Sequence, residues 1–434
     1  MRQHQGWGEV VEDRQRSRRK ESRDCDAHKT SHVCLKGLKK KQRANRSRLL
    51  LVFAVLILCG VWNVEGVFGQ IGQGGQSGQS RQPSDGMRLG FADTSAPGSA
   101  MENYERAIIQ YDAAKYEDAI GSLRRAVKIN PGFVEGYNSL CVVYARLDRN
   151  QEAIESGQRA VALKSDYAPA FFNLGMVFGD VNRLQDAVGA FNQAILLNPG
   201  DIRARYNLGR MYVQLGQYAE AAESLKRAIS LEPHYADAHN ELGVVYFQLG
   251  QYEIAAESFR HAIADKRDQP EFRGNLGVTY YFLEKYAETV ESLQQAISLK
   301  PDYAVAHAVL GQVYLKLGRY EDALSCLRRA FQLKLETEVV YNDLGCAYAR
   351  LRNYKEARAY LRRATVLKPE FAIAFFNLGV VNLSLKDKDA ALEQYAVLKM
   401  LDRTLADKLY RMIYKAKILQ VSEDGFAANT EQGN

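Results

Sequence analysis

The sequence predicts an all-α solenoid, a line of stacked helix pairs running from Ala100 to about Arg403. Three observations predict it. First, a Leu-Gly pair recurs with its glycine at Gly175, Gly209, Gly243, Gly277, Gly311, Gly345 and Gly379, 34 residues apart each time. A fixed period in this range is the signature of a repeat array. Second, each unit holds two amphipathic stretches of helical periodicity. Third, the stops recur: Gly216, Gly250 and Gly318 between the stretches, then Pro131, Pro199, Pro233, Pro301 and Pro369 after the second. Extending the register backwards places Cys141 and Ala107 where the glycine stands, both small, which makes nine copies.

Residues 1–48 hold 15 Lys/Arg against 6 Asp/Glu, so 43 basic and 45 acidic residues remain for the rest of the chain. The array is therefore near neutral and offers no nucleic-acid surface. The basic segment is expected to be disordered. Cys25, His28, His32 and Cys34 within it are zinc-type ligands, but the segment lacks the apolar residues that would fix them, and no metal site is expected. Leu49–Val64 is uncharged and apolar. As a helix it would measure about 24 Å, short of the roughly 30 Å hydrocarbon core of a bilayer. It therefore suits the core of a signal peptide, with cleavage after Gly69, or a marginal membrane anchor. Basic residues crowd its N-terminal flank, so the N-terminus is expected to stay in the cytoplasm and the repeats to lie outside, in the periplasm or beyond the cell. Forty-eight residues before such a segment is long, which suggests a true start downstream of Met1. Residues 70–99 are rich in Gly, Gln and Ser and read as a flexible linker.

Each repeat is numbered so that its recurring glycine is position 8, making Ile202 position 1 and Tyr235 position 34. At 100° per residue, positions 4, 7, 8 and 11 of the first helix share one sector, while 2, 5, 6, 9, 12 and 13 point nearly opposite. The first sector packs: Leu at 7, Gly at 8, and an aromatic at 11 such as Tyr212. The second helix adds a small residue at 20, a large apolar one at 24 and Ala at 27, for example Ala221, Leu225 and Ala228. Small residues facing large ones let backbones approach closely. Gly at 15 suits a left-handed C-cap, and Asn182 can take the same role. Pro at 32 stops the second helix.

With L7-G8-Y11-A20-F24-A27-P32 on a 34-residue period, the chain resembles a tetratricopeptide repeat protein. The resemblance implies a right-handed superhelix of antiparallel helix pairs whose first helices line a concave groove for segments of other proteins. Ser165, Arg267 and Leu335 replace the proline, and the ninth copy departs at Asn382 and Arg403. After the array, residues 404–420 carry Leu405, Leu409, Met412, Ile413 and Ala416 on one stripe. A capping helix needs that pattern, and a membrane-surface helix is the alternative. Residues 421–434 form a polar tail.

Function is expected on the open sector. Position 6 carries Asn173, Asn207, Asn275 and Asn377, each with an acceptor and a donor suited to an extended peptide backbone. The pattern is similar to the asparagine ladder of O-linked GlcNAc transferase repeat regions; the alternative is that these residues bridge adjacent helices. Position 9 adds Met176, Val244 and Val278 to the expected partner-binding groove, with Arg210 as the one strong charge in a mostly apolar row. Position 12 either lines the groove or packs between helices. The clamp by which some relatives hold chaperone tails needs Lys at 5 and Asn at 9; no copy has either, so that partner class is rejected.

The array's histidines, His234, His239, His261 and His307, show no convergence with a nucleophile or with each other, and His239 and His307 are expected to pack in the core. No phosphate loop, catalytic set or cofactor site is present in the pattern. The expectation is a non-enzymatic protein-binding scaffold of the cell envelope, or, alternatively, the targeting subunit of a separate enzyme such as a protein glycosyltransferase.

Overall fold

The computed structural model describes residues 98–415, all within the second of two units of the chain, Val64–Asn434. The basic segment with its Cys and His residues, the apolar stretch 49–64, most of the linker and the polar tail lie outside the described residues. Nineteen helices and no strand occur among those described. The first three repeats are α1 (Ala100–Asp112) with α2 (Tyr116–Ile129), α3 (Val134–Arg146) with α4 (Asn150–Leu163), and α5 (Ala168–Asp180) with α6 (Leu184–Leu197). Then come α7 (Ile202–Gln214) with α8 (Tyr218–Leu231), α9 (Ala236–Gln248) with α10 (Tyr252–Asp265), and α11 (Pro270–Phe282) with α12 (Tyr286–Leu299). The last are α13 (Ala304–Lys316) with α14 (Tyr320–Gln332), α15 (Glu338–Arg350) with α16 (Tyr354–Leu367), and α17 (Ala372–Ser384) with α18 (Lys388–Leu401), followed by α19 (Arg403–Lys415).

The recurring glycine is a place where a side chain already stands. A Cβ on Gly209 would lie 2.7 Å from Leu225 Cγ, and one on Gly345 would lie 2.5 Å from Leu361 Cγ. Position 24 of the same repeat fills position 8, and Leu225, Phe259, Leu293 and Leu361 are buried there. Repeat 2 inverts the pair. Its large-residue site is Gly157, its small-residue site is Cys141, and Leu174 of the next repeat enters the gap, 2.7 Å from where a Gly157 Cβ would be. Repeat 9 breaks the pattern differently: position 24 is Tyr395, and Leu409 of α19 takes the place over Gly379.

Neighbouring repeats are also clipped through position 11. Arg124 Nε donates to the Tyr144 hydroxyl at 2.8 Å, Arg328 Nε to Tyr348 at 3.1 Å, and Gln294 Nε2 to Tyr314 at 3.3 Å. At position 11 of the ninth repeat stands Asn382, buried with no hydrogen-bond partner for either side-chain atom among the described residues.

Position 15 is left-handed in all nine repeats. Three carry Gly, with φ between 70° and 72°; the others carry Ala114, Asp148, Asn182, Glu284, Arg352 and Lys386, with φ between 56° and 62°. A side chain there is strained. Glu284→Gly and Lys386→Gly are each expected to raise stability by about 0.5–1 kcal/mol, read as a higher urea midpoint; an unchanged midpoint would remove the strain argument. The three loops without proline differ among themselves. Ser165 and Arg267 keep the common turn, whereas at Leu335 the helix α14 ends a residue early, Lys334 turns left-handed at φ 67°, and Thr337 caps α15.

The last helix begins at Arg403, where Asp402 Oδ1 accepts from the backbone N–H of Thr404 and Leu405. Ala406, Leu409 and Ile413 are buried against Phe376, Val380 and Leu398, with Leu405 and Met412 beside them. Ala416 falls outside the described residues.

Candidate functional site

The open sector of the first helices is built by two registers that recur along the stack. In one, position 6 meets position 5 of the preceding repeat. Asn173 Nδ2 donates to Asn138 Oδ1 at 2.8 Å, Asn275 to Asn240 at 3.0 Å, and Asn377 to Asn342 at 3.0 Å. The acceptors were not among the expected site residues. An Asn 35 residues before three of the four position-6 asparagines was the available signal. Asn207 has Phe172 at that place instead, and donates to the Arg203 carbonyl of its own helix at 2.9 Å. Bridging between helices, the alternative role for these amides, is thus their geometry in three of four cases. Asn377 is fully buried, Asn207 and Asn275 nearly so, and only Asn173 is half-buried.

In the other register, position 9 meets position 6 of the next repeat. Gln312 Nε2 donates to Asp343 Oδ2 at 2.8 Å, and Asn377 Nδ2 lies 3.2 Å from Cys346 Sγ. Arg210 and Glu241 hold the corresponding places in repeats 4 and 5. Burial raises the Glu241 carboxyl above the usual carboxylate range, against the pull of Arg210. Arg210 Nη1 also donates to Asn207 Oδ1 at 3.4 Å, and its guanidinium sits 5.8 Å from the Tyr206 ring centre. Burial first, and then Glu241, push the Tyr206 hydroxyl well above its ordinary pKa. Arg210, Asn207, Tyr206 and Glu241 thus form one charged cluster on α7 and α9.

Position 9 is not equally open along the array. Val142, Met176 and Arg210 are half-buried, whereas Val244 and Val278 are each 3% exposed. Val244 and Val278 were expected on the open sector; bulky residues at position 12, Phe247 and Tyr281, stand in the same repeats and are themselves buried.

The histidines also differ from expectation. His239 and His261 do meet, with stacked rings 5.2 Å apart. His239 and His307 are not core residues: each directs Nε2 to a loop carbonyl six residues back, at Pro233 and Pro301. Arg205 does the same to Pro199, so position 4 reaches back to the preceding loop in these repeats. Burial pushes the Cys141 thiol up to about 12 and Cys326 to about 11, and raises Cys346 as well, so all three stay protonated at neutral pH. No group of three or more His, Cys, Asp or Glu among the described residues could hold a metal ion. Nor is any described helix long and apolar enough to cross a membrane.

Antiparallel helix pairs, most of them locked by a glycine against a large side chain and joined to the next by a recurring register, define a helical-repeat solenoid. Residues 104–168 match the tetratricopeptide repeat model, and residues 201–407 match the model of the C-terminal domain of cilia and flagella-associated protein 70. The chain is a tetratricopeptide repeat protein. Solved structures similar to it include PilF of Pseudomonas aeruginosa, at 24% identity over 48% of this chain and 96% of that one, TM-score 0.44. YrrB, described as a TPR protein with an unusual peptide-binding site, is 23% identical over 42% of this chain and 95% of that one, TM-score 0.39. MamA is 25% identical over 39% of this chain and 92% of that one, TM-score 0.37. No curated protein matches the chain.

Proposed function

We propose that the chain is a non-enzymatic scaffold that holds an extended segment of a partner protein on the first-helix face of repeats 2–4. The observation that carries this reading is the half-buried row Val142, Met176 and Arg210, which leaves apolar surface and a cation uncovered beside the amide of Asn173. Apolar surface of that kind is favourably covered by a partner. Asn173 gives one amide hydrogen to Asn138 and offers its carbonyl to a backbone N–H. The array works outside the cytoplasm in this proposal, exported or anchored through residues 49–64.

Affinity capture from membranes, with the full chain and with its Met176→Glu variant, tests the reading. A charge in the row should remove the captured partner, a loss of about tenfold or more, while the melting curve stays in place. Capture that is indifferent to Met176→Glu would sink the reading. Protease added outside intact cells should cleave the array if it is exported; protection would overturn that part.

A further inference from the structure

The second helices carry a charge pattern that their packing does not use. Residues 100–303, which end with repeat 6, hold 21 Lys/Arg against 27 Asp/Glu, while residues 304–415 hold 19 against 12. The change of sign shows in one column of exposed side chains, positions 22 and 26, which are neighbours one turn apart on the helix surface. In repeat 4 the column is a closed ion pair, Glu223 with Arg227 at 3.0 Å. Repeats 5 and 6 keep the acid and lose the base: Glu257 and Glu291 stand at 22, with His261 and Gln295 at 26. Repeats 7 and 8 keep the base and lose the acid: Arg329 and Arg363 stand at 26, with Ser325 and Ala359 at 22. All four charged residues are exposed, and none makes an ion pair among the described residues. Glu291 accepts the Gln295 amide at 3.2 Å, and the His261 ring is stacked on His239.

From repeat 5 to repeat 8 the column is thus negative, negative, positive, positive. Reversed, it is its own complement. A two-fold axis between repeats 6 and 7 sets repeat 5 of one copy opposite repeat 8 of another and repeat 6 opposite repeat 7. Each acid then faces a base in both halves of the contact, the self-complementary arrangement of an isologous dimer. Spacing agrees as well, because the same repeat step of 34 residues separates Glu257 from Glu291 and Arg329 from Arg363. Position 18 follows the same polarity at the two ends, with Glu253 in repeat 5 and Lys355 in repeat 8, both exposed; Glu321 in repeat 7 runs against it. At position 25, Arg362 adds to the basic end, while Arg260 at the acidic end is turned back on its own helix, where Nε donates to the Ala256 carbonyl at 3.4 Å. Within one copy the acids and bases of the column stand side by side along the stack and make no ion pair with each other.

We infer that two copies of the chain associate back to back through the second helices of repeats 5–8, with Glu257 and Glu291 of each against Arg363 and Arg329 of the other. The contact is independent of the proposed groove, which lies on the first helices, and either can fail without the other. Sedimentation velocity of the full chain tests it, in a neutral detergent that keeps the apolar residues 49–64 from associating. The expected result is a dimer whose dissociation constant rises about tenfold or more between about 50 and about 500 mM salt, as exposed ion pairs are screened. Arg329→Glu with Arg363→Glu sets acid against acid and should leave a monomer. Glu257→Arg with Glu291→Arg sets base against base and should do the same. Circular dichroism should be unchanged in both, since all four side chains are exposed. Mixing the two variants in equal amounts restores opposite charges in both halves of the contact, so a dimer of one of each should return. A full chain that is monomeric at low salt overturns the inference, as does association that neither pair of changes weakens, or a mixture that stays monomeric. Association lost with the acidic pair changed but kept with the basic pair changed puts the partner cations elsewhere, residues 1–48 among them, and overturns it too.

Discussion

Leu361→Ala is expected to destabilise the C-terminal repeats by about 2–5 kcal/mol, the range for deleting a fully buried leucine side chain. Leu361 is 0% exposed and fills the space over Gly345. The reciprocal change, Gly345→Ala, would place a Cβ 2.5 Å from Leu361 Cγ and 3.2 Å from the Ala357 carbonyl oxygen. It should cost about 1–3 kcal/mol as overpacking, despite the better helix propensity of alanine. Combining the two removes the clash with Leu361, so the double variant should lose at least about 1 kcal/mol less than the sum of the singles. Urea unfolding of the four proteins measures the coupling. Additive losses would show that the glycine and the leucine do not form one lock.

Leu409→Ala should cost about 2–5 kcal/mol, but with a different distribution. Leu409 is 0% exposed and sits over Gly379, where the ninth repeat lacks a suitable residue of its own. Its loss loosens α19 from Phe376, Val380 and Leu383. In a stack held by nearest-neighbour contacts the array should then open from that end. Hydrogen exchange is expected to show α17–α19 losing protection while α7–α10 keep theirs. Uniform loss across the array would mean that the repeats unfold as one cooperative body and that α19 is not a local cap.

Much of this was legible because contacts in a stack occur at fixed sequence separations. The glycine of a repeat meets a residue 16 positions on, as Gly209 meets Leu225, so one template serves for many copies. The same logic made the left-handed position readable at Gly216 and Asn182, although Glu284 and Lys386 adopt it without any residue signal, the loop leaving them no other conformation. The asparagines at position 6 stood out by repetition, but their bonds run to position 5 of the previous repeat, a register that the template of a single repeat does not contain. His239 and His261 were 22 residues apart in two different helices, and their meeting depended on how those helices pair.

The sequence by itself determined the repeat, its two-helix unit, its stops and which residue types face the packing side, because periodicity is a one-dimensional property. Only the tertiary structure decided how open the groove is at each repeat. Val142 and Val244 have the same residue type and the same position, and differ in exposure where the side chains around them differ, Ala145 against Phe247 at position 12 among them. Exposure is set by the volume of side chains that adjacent repeats bring together, and that sum is made in space.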